Sequence, residues 1–217
     1  MRRESRYKAI IFDMDNTLLK SNINFPRIKQ DVFDQCMEAG LFPASFPFQE
    51  HTIATLIESA RAARGFTAEL ETAVWNIVVA GEKVGMVGAE LEEHVPEILE
   101  LLSVETRLTV LTNNAREAAI DALERTGIAS RFELIAGREQ MTALKPSPSG
   151  IAYITSNYPA IRPEEWLCVG DSWIDGKAAQ DSGIAFLAYN AKLEELQRRN
   201  VPAVGHILSM RELIHYL

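Results

Sequence analysis

Asp13 and Asp15 stand two residues apart at the end of a short, mostly apolar run, Tyr7 to Phe12. That run is rich in residues that suit a buried strand, so the acids fall where the strand ends. In an open α/β sheet, ligands sit in the crevice outside the carboxyl ends of the strands. Two carboxylates this close cannot both stay charged unless a cation or a proton lies between them. The competing reading is a strand that stops in a solvated acidic turn, and a motif this short admits both.

Three more places have residue types that matter. Thr112 ends the apolar run Arg107–Leu111, and Asn113 and Asn114 follow it. Its hydroxyl and their amides suit an oxyanion or a phosphate oxygen, although a polar cap on an ordinary turn has the same composition. Lys145 precedes Pro146-Ser147-Pro148 after another short strand; alone it reads as a solvated charge. Asp171 follows the apolar run Trp166–Val169 and Gly170, and Asp175 lies one helical turn later on the same side. A helix dipole would also favour acids there.

These residues need a scaffold that brings strand ends together. From Ala89 onward strands alternate with helices: helix at Leu91–Leu102, strand at 107–111, helix at Ala115–Arg125, strand at Glu133–Ala136, and a helix starting at Pro146. Strand 166–169, helix Asp175–Asp181, strand Ile184–Tyr189, helix Leu193–Arg199 and a short tail helix from Ser209 complete the series. Strands regularly separated by helices predict an α/β fold, a doubly wound and mainly parallel Rossmann-like sheet. Between the first strand and the rest lies a stretch with helical spacing and no convincing strand. It holds helices at Pro26–Ala39, at Thr52–Ala63 and from Thr67, then Gly81–Gly88, whose three glycines predict a loop or hinge. The domain reading is therefore residues 1–20 and 89–217 as a Rossmann-like core, with 21–88 as an inserted, mainly helical cap.

Composition agrees with a globular protein. The 217 residues are 47% hydrophobic and 24% charged, with a net charge of -8. That acidity argues against a nucleic-acid footprint, and no apolar run is long enough to span a membrane. The basic residues Arg2, Arg3, Arg6 and Lys8 are interrupted by Glu4, and no signal peptide is expected. Cys36 and Cys168 suggest no disulfide framework, which makes a reducing cytoplasm the expected location. His51, His94, His206 and His215 lack metal-ligand spacing.

Taken together, the chain resembles the haloacid dehalogenase-like hydrolase superfamily over nearly its full length. The D-x-D-x-T motif is matched by Asp13, Asp15 and Thr17, the Ser/Thr of the second motif by Thr112, the lysine by Lys145, and G-D-S-x-x-D by Gly170, Asp171, Ser172 and Asp175. The helical insertion resembles the cap of the phosphoglycolate phosphatase-like branch. Asn16 stands where many relatives carry glycine, and both suit a turn. The resemblance implies that Asp13 is a nucleophile forming an aspartyl-phosphate and that Asp15 protonates the leaving oxygen and then activates water. It further implies a Mg²⁺ ion held by Asp13, Asp15 through its carbonyl, and Asp171, with Asp175 in or beside that shell, in position to orient Lys145. Thr17, Thr112, Asn113, Asn114 and Lys145 would bind the substrate phosphate, and Lys145 and the metal would balance its charge. The cap would exclude water and read the leaving group, with Glu82, Lys83 and Met86 as candidates to face it.

The implied function is Mg²⁺-dependent hydrolysis of a small phosphorylated metabolite, by a monomer or homodimer without nucleic-acid or membrane partners. Dehalogenation is disfavoured by Asp15, since a halide leaves without a proton. A phosphonate hydrolase needs a cap lysine that forms a Schiff base, and Lys83 in a glycine-rich loop suits a solvated charge better. A phosphomutase of the same fold and a catalytically silent binding protein are the remaining alternatives. Trp75 and the Phe42, Phe46 and Phe48 cluster are expected as cap core.

Overall fold

Ala9–Phe12 (β1) is four apolar residues, all buried, and neighbours cover it on both edges. Arg107–Leu111 (β4) pairs with it on one side and Trp166–Gly170 (β6) on the other, both parallel. Leu134–Ala136 (β5) extends the sheet beyond β4, and Ala185–Tyr189 (β7) and Gly205–Ile207 (β8) extend it beyond β6. The order is β5-β4-β1-β6-β7-β8, and every pairing is parallel. Strand order reverses at β1, which makes the carboxyl ends of β1, β4 and β6 the switch point where such sheets bind ligands. The α/β fold expected from the alternation is present.

The computed structural model describes residues 6–102 and 106–217; Arg2, Arg3 and Glu4 of the N-terminal basic cluster lie outside the described residues. The chain forms two compact units, one of Met1–Lys20 with Ala89–Leu217 and one of Ser21–Gly88. Within the first, helices Val95–Leu102 (α4), Arg116–Arg125 (α5), Ser149–Ser156 (α6), Trp173–Asp181 (α7) and Leu193–Arg198 (α8) connect the strands. Their buried faces meet the sheet; Ile151, Ile154, Ala178 and Ala179 share one core with Ile11, Cys168 and Phe186. Helix α6 starts at Ser149 rather than Pro146, because residues 145–148 form a turn closed by the Ser147 N–H on the Leu144 carbonyl (2.9 Å). The tail helix from Ser209 is a 3-10 helix, Met210–Tyr216, capped by Ser209.

Two short strands escape the sequence pattern. Leu19–Lys20 (β2) and Glu90–Leu91 (β3) form an antiparallel ribbon, and both connections to the second unit leave from it. The Tyr189 hydroxyl at the end of β7 donates to Glu92 just beyond the ribbon (3.0 Å). Strand β8 is three residues long, too short to show alternation.

The second unit holds helices Phe25–Glu38 (α1), Ile53–Ala62 (α2) and Ala68–Gly85 (α3). Asn24, Thr52 and Thr67 cap their N-termini through side-chain oxygens. The expected loop at 81–88 is instead the last turns of α3, and its glycines explain why. A Cβ on Gly81 would come within 2.4 Å of Ile28, and one on Gly85 within 2.3 Å of Ile23. Here glycine lets α1 and the segment before it approach α3; only Gly88, at φ +74°, makes a turn. Glu82 and Met86 are consequently buried and only Lys83 is exposed. Phe33 stacks on Phe48 (4.2 Å between centroids) and Phe42 on Phe46 (4.0 Å), so the aromatics pack on one another within this unit.

Candidate active site

Asp13 follows β1 directly, and its backbone N–H is held by the Val169 carbonyl of β6 (2.9 Å). The turn behind it closes tightly: Leu18 and Leu19 donate to the Met14 carbonyl (2.9 and 3.0 Å), and the Asn16 N–H donates to Leu19 (2.7 Å). Asn16 sits at φ +57°, a left-handed conformation that asparagine tolerates better than most residues. Asp13, Asp15 and Thr17 all end up buried, and the Thr17 hydroxyl makes no hydrogen bond to the described residues.

Lys145 is the centre of charge. Only 2% of the residue is exposed. Its ammonium has three protons and three acceptors: Asp13 Oδ1 (2.5 Å), Asp175 Oδ1 (2.7 Å) and the Leu111 carbonyl at the end of β4 (2.9 Å). Burial alone would favour the neutral amine, but Asp13 and Asp175 outweigh it and hold the proton affinity above the ordinary lysine value. Lys145 is therefore not the solvated charge that its residue type taken alone would suggest. Asp175 reaches this position from the first turn of α7, where its second oxygen accepts the Ser172 N–H (3.2 Å). Gly170 leaves the room: a Cβ there would lie 2.5 Å from the Asp175 Cγ.

Thr112, Asn113 and Asn114 divide their tasks. The Thr112 hydroxyl accepts the Asn114 N–H (3.1 Å). The Asn113 amide is committed to the Lys145 peptide, accepting its N–H (2.8 Å) and donating to its carbonyl (3.1 Å). Asn114 donates through Nδ2 to Asp15 Oδ2 at 2.7 Å. Both asparagine side chains therefore hold other candidate site residues, Lys145 and Asp15, tasks that sequence spacing could not reveal. The Leu111 carbonyl was missed, since a backbone acceptor leaves no chemical signature in a sequence, and Gly170 was read as part of a motif without the close approach to Asp175 that requires it.

The electrostatics are unbalanced. Asp13, Asp171 and Asp175 each offer a carboxylate oxygen, all within 4.8 Å of one another. Burial drives the Asp13 carboxyl well above its usual range; Lys145 opposes that, while Asp175, Asp171 and Asp15 reinforce it. Asp171 is pushed up to about 7, first by burial and then by Asp175. One ammonium serves four acids, so a hard cation fits this oxygen-only donor set. Cys168, buried in β6, is held in its thiol form by burial.

Comparison with known proteins decides the family. Residues 10–189 match the family described as haloacid dehalogenase-like hydrolase. The chain belongs to that family. It is 26% identical over 190 residues to a phosphoglycolate phosphatase of Rhodobacter capsulatus, covering 83% of each chain. Identity is again 26% to a phosphoglycolate phosphatase of Cereibacter sphaeroides, over 96% of this chain and 98% of the relative. A solved haloacid dehalogenase-like family hydrolase from Streptococcus pneumoniae has the same fold, with a TM-score of 0.65 at 19% identity over 97% of this chain and 98% of the other. Among the described residues of this family member, no helix is long and apolar enough to cross a membrane.

Proposed function

We propose that this haloacid dehalogenase-like hydrolase is a Mg²⁺-dependent phosphatase acting on a small phosphate monoester through an aspartyl-phosphate on Asp13. The observation that carries this reading is the Lys145 ammonium fixed between Asp13 and Asp175 at the switch point of the sheet, with Asp171 and Asp15 close enough to Asp13 to raise its proton affinity. Asp13 and Asp171 would hold Mg²⁺ together with the Asp15 carbonyl. Asp175 would stand in or beside that shell and also positions the lysine, its oxygens accepting from the Lys145 ammonium and the Ser172 amide. The cation supplies charge neutralisation for the phosphoryl oxygens.

The steps then follow from the protein's own groups. A carboxylate oxygen of Asp13 attacks phosphorus in line as the bond to the leaving oxygen breaks, and Asp15 transfers its proton to that oxygen. Asp15, now a carboxylate, takes a proton from water; the resulting hydroxide attacks phosphorus and the bond to Asp13 breaks, releasing phosphate. Lys145 and the Thr112 hydroxyl flank the transferring group. Such a reaction depends mainly on placement and charge stabilisation, which three strand ends provide here. Residues 21–88 serve as the cap that reads the leaving group. A reducing cytoplasm suits the two free, buried cysteines.

The test is hydrolysis of p-nitrophenyl phosphate and phosphoglycolate, with and without Mg²⁺, by the wild type and by Asp13→Asn. Turnover that requires Mg²⁺ and disappears in the variant supports the mechanism. Turnover that survives in Asp13→Asn removes the aspartyl-phosphate from it.

A further inference from the structure

We infer that Asn114 is the positioning residue for the proton-transfer carboxyl Asp15, an inference that rests on the phosphatase reading above. Asn114 lies three residues beyond β4, and 99 residues separate it from Asp15 in the chain. Its backbone is fixed from both sides: the N–H donates to the Thr112 hydroxyl (3.1 Å), and the carbonyl accepts the Arg138 N–H (2.9 Å) from the segment after β5. From this anchored backbone Nδ2 reaches Asp15 Oδ2 at 2.7 Å, and both residues are buried. An ionised carboxylate only accepts hydrogen bonds and a protonated one still accepts on its other oxygen, so the NH₂ end of the amide holds Asp15 in both states.

This geometry serves a proton shuttle in a particular way. An amide donates a hydrogen bond but neither gains nor loses a proton to any significant extent near neutral pH, so it holds Asp15 without competing for the proton being moved. With Oδ2 held as an acceptor, the carboxyl carries its proton on Oδ1, and the hydrogen bond restricts the torsions the side chain samples. Proton transfer needs the donor within hydrogen-bond reach of the leaving oxygen, and a displacement near 1 Å is enough to lose most of its effect. The adjacent Asn113 is a built-in contrast. It has the same side chain in the same turn, but it grips the Lys145 peptide and does not touch Asp15.

The two asparagines therefore differ in a measurable way. A nitrophenolate ion departs without a proton, whereas an alkoxide needs one as it leaves. The experiment measures kcat/KM, which is set by steps up to departure of the leaving group, for p-nitrophenyl phosphate, phenyl phosphate and phosphoglycolate. Wild type, Asn114→Ala, Asn114→Ser and Asn113→Ala are compared, with folding of each checked by circular dichroism. Asn114→Ala is expected to lose about 10²-fold on phosphoglycolate and less than about threefold on p-nitrophenyl phosphate. Asn114→Ser, which keeps a donor and a smaller volume, recovers part of that difference and is the variant that decides if Asn114→Ala does not fold. Asn113→Ala lowers all three substrates by a similar factor, because it loosens Lys145. Equal losses on all esters in the folded Asn114 variants, or none, would overturn the positioning role and leave the phosphatase reading standing. A wild type inactive on every ester would overturn both.

Discussion

Gly170→Ala tests whether the site depends on close backbone approach. The added Cβ would stand 2.5 Å from the Asp175 Cγ, 2.6 Å from its Cβ and 2.7 Å from Oδ2. Ordinary contact begins near 3.4 Å, so the aspartate must retreat by about 0.9 Å. Its Oδ1 lies 2.7 Å from the Lys145 ammonium, and a retreat of that size directed away from the lysine stretches the bond to about 3.6 Å, beyond hydrogen-bond range. Lys145 then keeps only Asp13 and Leu111 as acceptors. Overpacking of this size destabilises by about 1–3 kcal/mol. In a chain of this length that lowers Tm by roughly 2–12 °C. A misplacement near 1 Å also lowers kcat/KM by about 10²-fold. The assay pairs a thermal melt with Mg²⁺-dependent turnover of p-nitrophenyl phosphate. Gly183→Ala is the control: it follows α7 at φ +69° with nothing within 4 Å of the added Cβ, so it strains the backbone without crowding the site. It should lower Tm by a comparable amount and leave turnover within about twofold. If Gly170→Ala matched the wild type in both assays, the claim that Asp175 orients Lys145 through this contact would be wrong.

Two further outcomes follow from charge. Lys145→Met removes the only ammonium that contacts Asp13 and Asp175 among the described residues, and breaking such a buried pair destabilises by about 3–5 kcal/mol where the acids stay ionised. Proton uptake relieves this, and a carboxyl whose folded proton affinity is raised loses stability as pH rises. The deficit in Tm should therefore grow from pH 5 to pH 8 and shrink when Mg²⁺ is added; a pH-independent deficit would contradict the charge balance described above. Away from the site, Lys8 (2.6 Å) and Arg162 hold Glu165 down to about 2, against an ordinary value of 4.5. A depressed acid stabilises above its unfolded value and loses that contribution as pH falls toward its folded one. Glu165→Gln should thus melt below the wild type at pH 7 and converge with it between pH 4.5 and 2, which melts across that window will check.

Much of the fold was legible because its signals are local. Buried strands such as Trp166–Gly170 are continuous apolar runs, and the helices between them carry their own spacing and stops. The same locality concealed β2, β3 and β8, since two- and three-residue strands are defined by the partner they pair with. It also misread Gly81 and Gly85: a glycine looks alike in a turn and in a close helix contact, and only Ile23 and Ile28 distinguish the two.

For the site, residue types and their order along the chain were enough to indicate a hydrolase of the haloacid dehalogenase-like family, because each motif lies at or near a strand end and a parallel sheet gathers those ends at one edge. What the sequence by itself determined was which groups are available: acids at 13, 15, 171 and 175, a lysine at 145, and a polar turn at 112–114. Only the tertiary structure decided what each one touches. Lys145 meets Asp13 across 132 residues and Asp175 across 30, Asn113 grips the Lys145 peptide, and Asn114 holds Asp15. Such pairings depend on strand order and on hydrogen-bond geometry accurate to tenths of an ångström. Neither is recorded in residue type or spacing, because bringing distant strand ends together is a property of the folded sheet.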